Sequence, residues 1–229
     1  MFDGSLRRES ESFVEFVHDE DVMHPDIAVY GARDAVLTAL TAAGEKNGTM
    51  LAATVESIDP VLDQVDVLNT MGLDCWVSAD EVEMAGRTLK NARIYATNDE
   101  RYSKGELDLP FDSNGHEDHQ EIGKFFGYPR SEVEAYEENG NWPKGYTFED
   151  GEQKIVDYEG GTDFTFPAHV LSNEHGYDEQ TRGKLRTFIP YSITDTEESL
   201  ERTVKEAESR SQVIDRIEQE YEVEITSRA

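Results

Sequence analysis

Lysine is scarce in this chain. Of 229 residues, 50 are Asp or Glu and 21 are Lys or Arg, and only 8 of those are Lys. The formal charge is −29. A phosphate backbone is repelled by such a surface, which sets nucleic acid aside as a partner. Cysteine is rarer still. Cys75 stands alone, so an internal disulfide and a multi-cysteine metal centre are excluded. It lies beside Trp76 in a strand-like run and reads as a small buried hydrophobe, not a nucleophile. Long apolar runs are missing, and nothing approaches the ~20 residues of a membrane span. The opening MFDGSLRRES has no apolar stretch behind its arginines, so no export signal is expected and the expected compartment is the cytoplasm. Glycine-rich phosphate loops are also missing. No G-x-G-x-x-G or G-x-x-x-x-G-K follows a predicted strand, so nucleotide binding by those routes is not expected.

What is abundant is acid, and it is spread along the whole chain. At low salt such a charge destabilises a compact state by self-repulsion. The screening length falls from about 10 Å at 0.1 M salt to about 3 Å at 1 M, where this surface becomes tolerable. Scarce lysine, abundant carboxylate and small residues in the core helices together suggest a halophilic archaeal cytosolic protein.

The periodicities predict a mixed α/β (α+β) fold in a single domain. Its subdivisions are an α/β unit over 1–97, a connector with a helical corner over 98–140, and a β meander with a long C-terminal helix over 141–229. A short helix is expected over Glu9–Val17. Ala35, Val36, Ala39, Leu40 and Ala43 recur at helical spacing, ending at Gly44. Thr49–Val55 has strand length. Asp59-Pro60 opens the next helix, with Asp as N-cap and Pro at N1, and Gly72 stops it. Strands follow at Leu73–Ser78, Glu81–Ala85 and Ala92–Thr97, and 98–115 reads as a long connector.

Gly115–Asn139 is the best punctuated stretch. Ile122, Phe125 and Phe126 share one helical face with His119. Gly127 sits where a left-handed residue ends a helix, and Pro129 blocks continuation. Ser131-Glu132-Val133-Glu134 has the spacing of a capping box, so a second helix is expected from Ser131. A DNA-binding helix-turn-helix has similar length, but Glu132, Glu134, Glu137 and Glu138 oppose it.

Further on, Tyr146–Phe148, Ile155–Tyr158 and Phe164–Phe166 alternate between turn signals and predict an antiparallel meander on which Trp142 packs. Lys184–Ser192 reads as another strand, cut by Pro190. Thr194-Asp195-Thr196-Glu197 is a second capping box, opening a helix to about Glu220 whose stripe of Leu200, Val204, Ala207 and Ile214 packs on the sheet or pairs subunits. Tyr221–Ile225 alternates as an edge strand would.

Histidine carries the candidate chemistry. His116 and His119 form an H-x-x-H, and His169 and His175 flank a loop after a predicted strand. His119 and His169 are candidates for general base, and all four for ligands of a divalent metal. The competing reading puts His119 in a core and His116 and His24 in solvent. Glu134 is a candidate to orient a histidine, with the capping box as its competing role.

The segment from Ile122 to Val133, IGKFFGYPRSEV, resembles the Leu-Gly-Tyr-Pro-x-Cys-Cys-Val segment of an uncharacterised archaeal and bacterial family. A strand such as Arg93–Ala96 precedes that motif in the family, and its Ile-Pro-Cys-Ser segment is echoed by Ile189-Pro190-Tyr191-Ser192. The resemblance spans roughly residues 30–210. The family's cysteines fall here on Ser131, Glu132 and Tyr191, so any thiol-borne role is lost. Gly127, Tyr128, Pro129, His119, Pro190 and Ser192 remain matched. The resemblance implies a fold and no activity. Tyr128, Glu134, Tyr191 and Ser192 become the candidate binding residues.

The expectation is a salt-adapted cytosolic protein with a small-molecule or metal pocket near the 116–134 corner and His169. The alternative is a non-enzymatic assembly protein, virus- or plasmid-encoded, that associates through its C-terminal helix.

Overall fold

A computed structural model describes residues 32–84, 86–102, 119–142, 145–150, 152–222 and 225–226. The expected Glu9–Val17 helix, His24, His116 and most of the 98–115 connector lie outside them. The fold is mixed α/β with a long C-terminal helix. The chain forms two compact units: Met1–Asp108 together with Val213–Ala229, and Leu109–Gln212.

In the first unit, helix α1 (Ala32–Ala42) leads to strand β1 (Gly48–Val55), helix α2 (Asp59–Thr70), and strands β2 (Asp74–Met84) and β3 (Arg87–Thr97). The three strands form an antiparallel sheet in the order β1-β3-β2. In register, Ile94 lies between Leu51 and Val77, and Ala92 between Ala53 and Ala79. Alternate residues Leu51, Ala53, Val55, Ala92, Ile94 and Ala96 are buried. α1 and α2 pack on the sheet and bury Val36, Leu40, Val61 and Leu68. Each fully buried aliphatic side chain of this kind is worth about 1.5–3 kcal/mol.

The two strands expected at Leu73–Ser78 and Glu81–Ala85 are one, because β3 offers an unbroken ladder as far as Met84↔Arg87. Asp59 is not the cap of α2. The N-cap is Ile58, with no side-chain cap, and Asp59 instead accepts a hydrogen bond from the Ser57 hydroxyl at 2.8 Å.

The second unit holds α3 (His119–Phe126), α4 (Arg130–Asn139), hairpin β4 (Tyr146–Glu149) and β5 (Glu152–Ile155), β6 (Thr165–Pro167), α5 (Ala168–Glu174), α6 (Glu179–Phe188) and β7 (Ser192–Thr194). Helix α7 (Glu197–Tyr221) begins in this unit and ends in the first. Two local expectations change here. The run Phe164–Phe166 does not extend the β4–β5 hairpin. Its Thr165–Pro167 segment pairs antiparallel with Ser192–Thr194, so the meander resolves into two two-stranded ladders. Lys184–Phe188 is helix, not strand. Asp178 caps α6 by accepting from the Thr181 N–H at 2.7 Å, and Leu185 and Phe188 are the buried face.

α7 starts after Thr196, whose hydroxyl accepts from the Ser199 N–H at 3.0 Å. Its stripe of Leu200, Ala207, Val213 and Ile214 is buried within the chain. Beyond it Glu222 has φ 54°, and the described residues Ile225 and Thr226 are not strand. Trp142 packs against Phe164 and Phe166 and donates its indole N–H to the Val156 carbonyl at 3.1 Å.

Candidate functional site

The corner between α3 and α4 shapes the site. α3 ends with Gly127 at φ 71°, a left-handed conformation that side chains rarely adopt. Tyr128 N–H reaches back to the Gly123 carbonyl at 2.8 Å and Gly127 N–H to Lys124 at 3.1 Å, the paired bonds of a Schellman end. Pro129, at φ −59° and ψ 131°, is the N-cap of α4. The second helix therefore starts at Arg130, and the Ser131–Glu134 capping box does not form: Pro129 takes the boundary position that Ser131 would need. Gly123 lets the two helices touch. A Cβ there would lie 2.4 Å from a Val133 methyl.

α4 packs on the β6–β7 ladder, and the chain entering β7 carries Pro190, Tyr191 and Ser192 to the corner. Between them lies a cleft of about 320 Å³. His119, Ile122, Phe126, Tyr128, Glu132, Val133, Tyr136, Asn141, Tyr191 and Ser192 line it. Four of the residues picked out in the sequence thus share one cavity: His119, Tyr128, Tyr191 and Ser192.

Its floor is Glu132, a carboxylate with 2% exposure. One oxygen accepts from the Thr194 N–H at 2.7 Å. The other accepts from the Ser199 hydroxyl at 2.6 Å and from the Arg202 guanidinium. Thr194 and Ser199 hydroxyls meet at 2.9 Å and close the network. A buried charge is tolerable only when paired and hydrogen-bonded, and Glu132 is both. Glu132 was invisible as a site residue in the sequence, where it is one of several acids on a short helix.

The walls are aromatic. Phe126 stacks on Tyr128 (centroids 5.4 Å), Tyr128 tilts against Tyr191 (5.1 Å), and His119 meets Tyr136 edge-on (5.2 Å). The Tyr191 hydroxyl is already engaged. It donates to Glu206, which also pairs with Arg210 at 2.7 Å. Burial, and then the Glu206 carboxylate, raise the Tyr191 hydroxyl well above the ordinary phenol range. Tyr191 is therefore a permanently neutral wall.

The other candidates lie elsewhere. Glu134 forms an exposed pair with Arg130 at 2.6 Å, beside a smaller 180 Å³ groove that also contacts Tyr128. His169 is the second residue of α5, not a loop residue, and its carbonyl accepts from the Ser172 hydroxyl at 2.9 Å. His175 is the C-cap of α5. Its Nε2 lies 2.7 Å from an Asp195 oxygen. The other Asp195 oxygen accepts from the Tyr158 hydroxyl at 2.5 Å and the Gly161 N–H at 3.0 Å. Burial, and then Asp195, push the Tyr158 hydroxyl upward. Among the described residues, no three His, Cys, Asp or Glu side chains gather into a group able to hold a metal. His119, His169 and His175 form no such set.

Comparison with protein families, curated proteins and solved structures finds no match for the chain.

Proposed function

We propose that this chain binds a small molecule in the cleft under the Gly127–Pro129 corner. The observation that supports this reading is the convergence of five aromatic rings and two polar side chains, Asn141 and Ser192, on one open cavity of about 320 Å³. That volume is at the lower end of ligand sites, which are mostly apolar with a few placed polar groups. His119 is the group in the cleft suited to proton transfer, and a bound molecule would meet it beside Tyr136. Glu132 serves the floor as a spent, paired carboxylate, so acid–base work is not assigned to it. Tyr128, the middle residue of the Gly127–Pro129 corner, lines the cleft.

A fragment screen by amide NMR tests the reading. The expected result is that at least one fragment shifts the amides of Tyr128, Tyr191 and Ser192 together. A library of several hundred neutral and charged fragments that leaves all three unmoved at millimolar concentration overturns it.

The same proposal places the protein in a salt-rich cytosol. A charge of −29 supports this, as does the screening argument. Among the described residues, no helix is long and apolar enough to cross a membrane. Melting should occur at higher temperature in 2 M than in 0.1 M KCl, and an equal or lower midpoint in 2 M KCl removes the halophilic reading.

A further inference from the structure

The cleft also indicates what kind of molecule it takes, an inference that rests on the small-molecule reading above. We infer that its ligand is an uncharged planar aromatic ring carrying a hydrogen-bond acceptor.

No Lys or Arg is among the described residues that line the cleft. Its one carboxylate, Glu132, already has both oxygens occupied, by Thr194 on one side and by Ser199 and Arg202 on the other. The Arg202 charge matches it. Apart from His119, no described residue lining the cleft offers an entering anion or cation an unspent counter-charge, and a desolvated ion without one is costly.

Phe126, Tyr128 and Tyr191 follow one another at centroid spacings of 5.4 and 5.1 Å. This is the range in which aromatic rings attract by offset or tilted packing. A flat ring extends such a row without loss of side-chain freedom, because the tyrosines are held already: Tyr191 by its bond to Glu206, and Tyr128 by its contacts with the Phe126 and Tyr191 rings.

The polar groups complete the match. Asn141 lines the cleft; its Oδ1 lies 3.2 Å from the Thr165 hydroxyl, which also reaches the Gly140 carbonyl at 3.1 Å, and its amide N–H groups are the first donor. The Ser192 hydroxyl also lines the cleft and is a second donor. Two donors ask for an acceptor such as a ring carbonyl or an exocyclic amide oxygen. Packing of this sort also survives high salt, whereas ionic recognition is screened.

Four matched probes decide the matter: benzamide, benzoate, benzylammonium and cyclohexanecarboxamide. Each is titrated by ligand-observed NMR at pH 8, above the usual range of histidine, in 2 M KCl with the full chain. Benzamide should bind at least tenfold more tightly than each of the other three. Tyr128→Leu should weaken benzamide at least fivefold. Should that variant lose its fold by circular dichroism, Ser192→Ala, which leaves every ring in place, should weaken benzamide at least twofold while leaving toluene binding unchanged. Tighter binding of either ion overturns the charge argument, and equal binding of cyclohexanecarboxamide overturns the stacking argument. Silence from all four overturns the aromatic assignment. It leaves the cleft itself to the wider fragment screen, whose failure is a separate result.

Discussion

The two units of this chain use acid differently. In the first, the ion pairs of the sheet are on the outside: Glu56 meets Arg87 at 2.7 Å with both side chains 72% exposed, and such pairs contribute little; its exceptions lie on helices, Asp34 on α1 and Glu218 on α7, which accepts from the Ile225 and Thr226 N–H groups at 2.6 and 2.7 Å. Its order comes from the three-stranded ladder and from aliphatic burial on the faces of α1 and α2. In the second, the strands are three or four residues long, and buried or half-buried carboxylates take over the work of a ladder. Glu132 accepts from Thr194 N–H, Glu174 from Ile155 N–H at 2.9 Å, and Asp195 from Gly161 N–H. Each ties together backbone segments that a sheet would otherwise hold. A chain this rich in acid therefore does not use it only as a solvent-facing coat. The cleft forms in the unit where such polar bonds join an apolar core of Phe166, Leu171, Leu185 and Ile193 in setting the geometry.

The largest expected effect tests that contrast at its centre. Glu132→Ala strands Arg202 and the Thr194 N–H, and removing one partner of a buried ion pair costs about 3–5 kcal/mol. Denaturant unfolding should show this loss at Trp142, with the signal from Trp76 read separately in a Trp142→Phe background. If Glu132→Ala costs less than about 1 kcal/mol, the buried acid is incidental and the contrast fails. The matching change in the first unit is Leu68→Ala, where both cavity and transfer terms apply and about 3 kcal/mol is expected, read at Trp76. A smaller loss at Leu68 than at any exposed residue of the sheet would show that the aliphatic layer is not what holds that unit.

The contrast also explains what could be read from the chain. α1, the span of α2 and the length of α7 follow from apolar spacing and from Gly44 and Gly72, because their determinants lie within a few residues. The end of α3 was legible for the same reason. The start of α7 was not, since the Thr194–Glu197 capping box fails to form, Thr194 being the last residue of β7 and Thr196 the cap. α6 was misread as a strand because Thr187, Phe188 and Ile189 lead into Pro190. The decisive residue was Asp178, nine positions earlier in the numbering than Thr187, whose cap starts the helix. β6 was assigned to a meander because proximity in sequence favours the β5 neighbour, whereas its partner is Ser192–Thr194. The site was half legible. His119, Tyr128, Tyr191 and Ser192 stood out as single residues, but nothing local announced Glu132, whose partners lie 62 to 70 residues away. Glu134 attracted the attention that Glu132 deserved, since the capping-box spacing picks out the wrong acid once Pro129 supplies the boundary.

Gly123→Ala sharpens the comparison at the corner itself. The new methyl would start 2.4 Å from Val133, so α3 and α4 must separate or Val133 must change rotamer. Overpacking of this kind costs about 1–3 kcal/mol. The added Val133→Ala change should restore much of it, a coupling that a double-mutant cycle reads directly. Additive losses would mean that the helices do not meet at this point.

The smallest effect concerns the acid in the first unit that departs from its neighbours. Burial, opposed by the nearby Arg33 charge, raises the Asp34 carboxyl to about 6. Its place in the first turn of α1 favours the ionised form, so burial outweighs the helix dipole. The sign of the pH dependence follows from the unfolded chain, where the same group ionises near 3.8. Below that value both states are protonated and Asp34 exerts no penalty. As pH rises from 3.8 to about 6 the unfolded chain has released this proton while the folded state still holds it, so stability falls across that window and the full penalty of the buried ion stands above it. A shift of this size corresponds to an upper bound of about 3 kcal/mol, and partial exposure of the group reduces it to about 1–2 kcal/mol. Asp34→Asn should therefore be more stable than the parent by about that amount at pH 8 and indistinguishable from it at pH 3.5, measured by urea midpoints at fixed salt. An advantage that persists unchanged at pH 3.5 would trace the gain to lost surface charge instead, and Asp34 would then belong with the exposed carboxylates of the sheet.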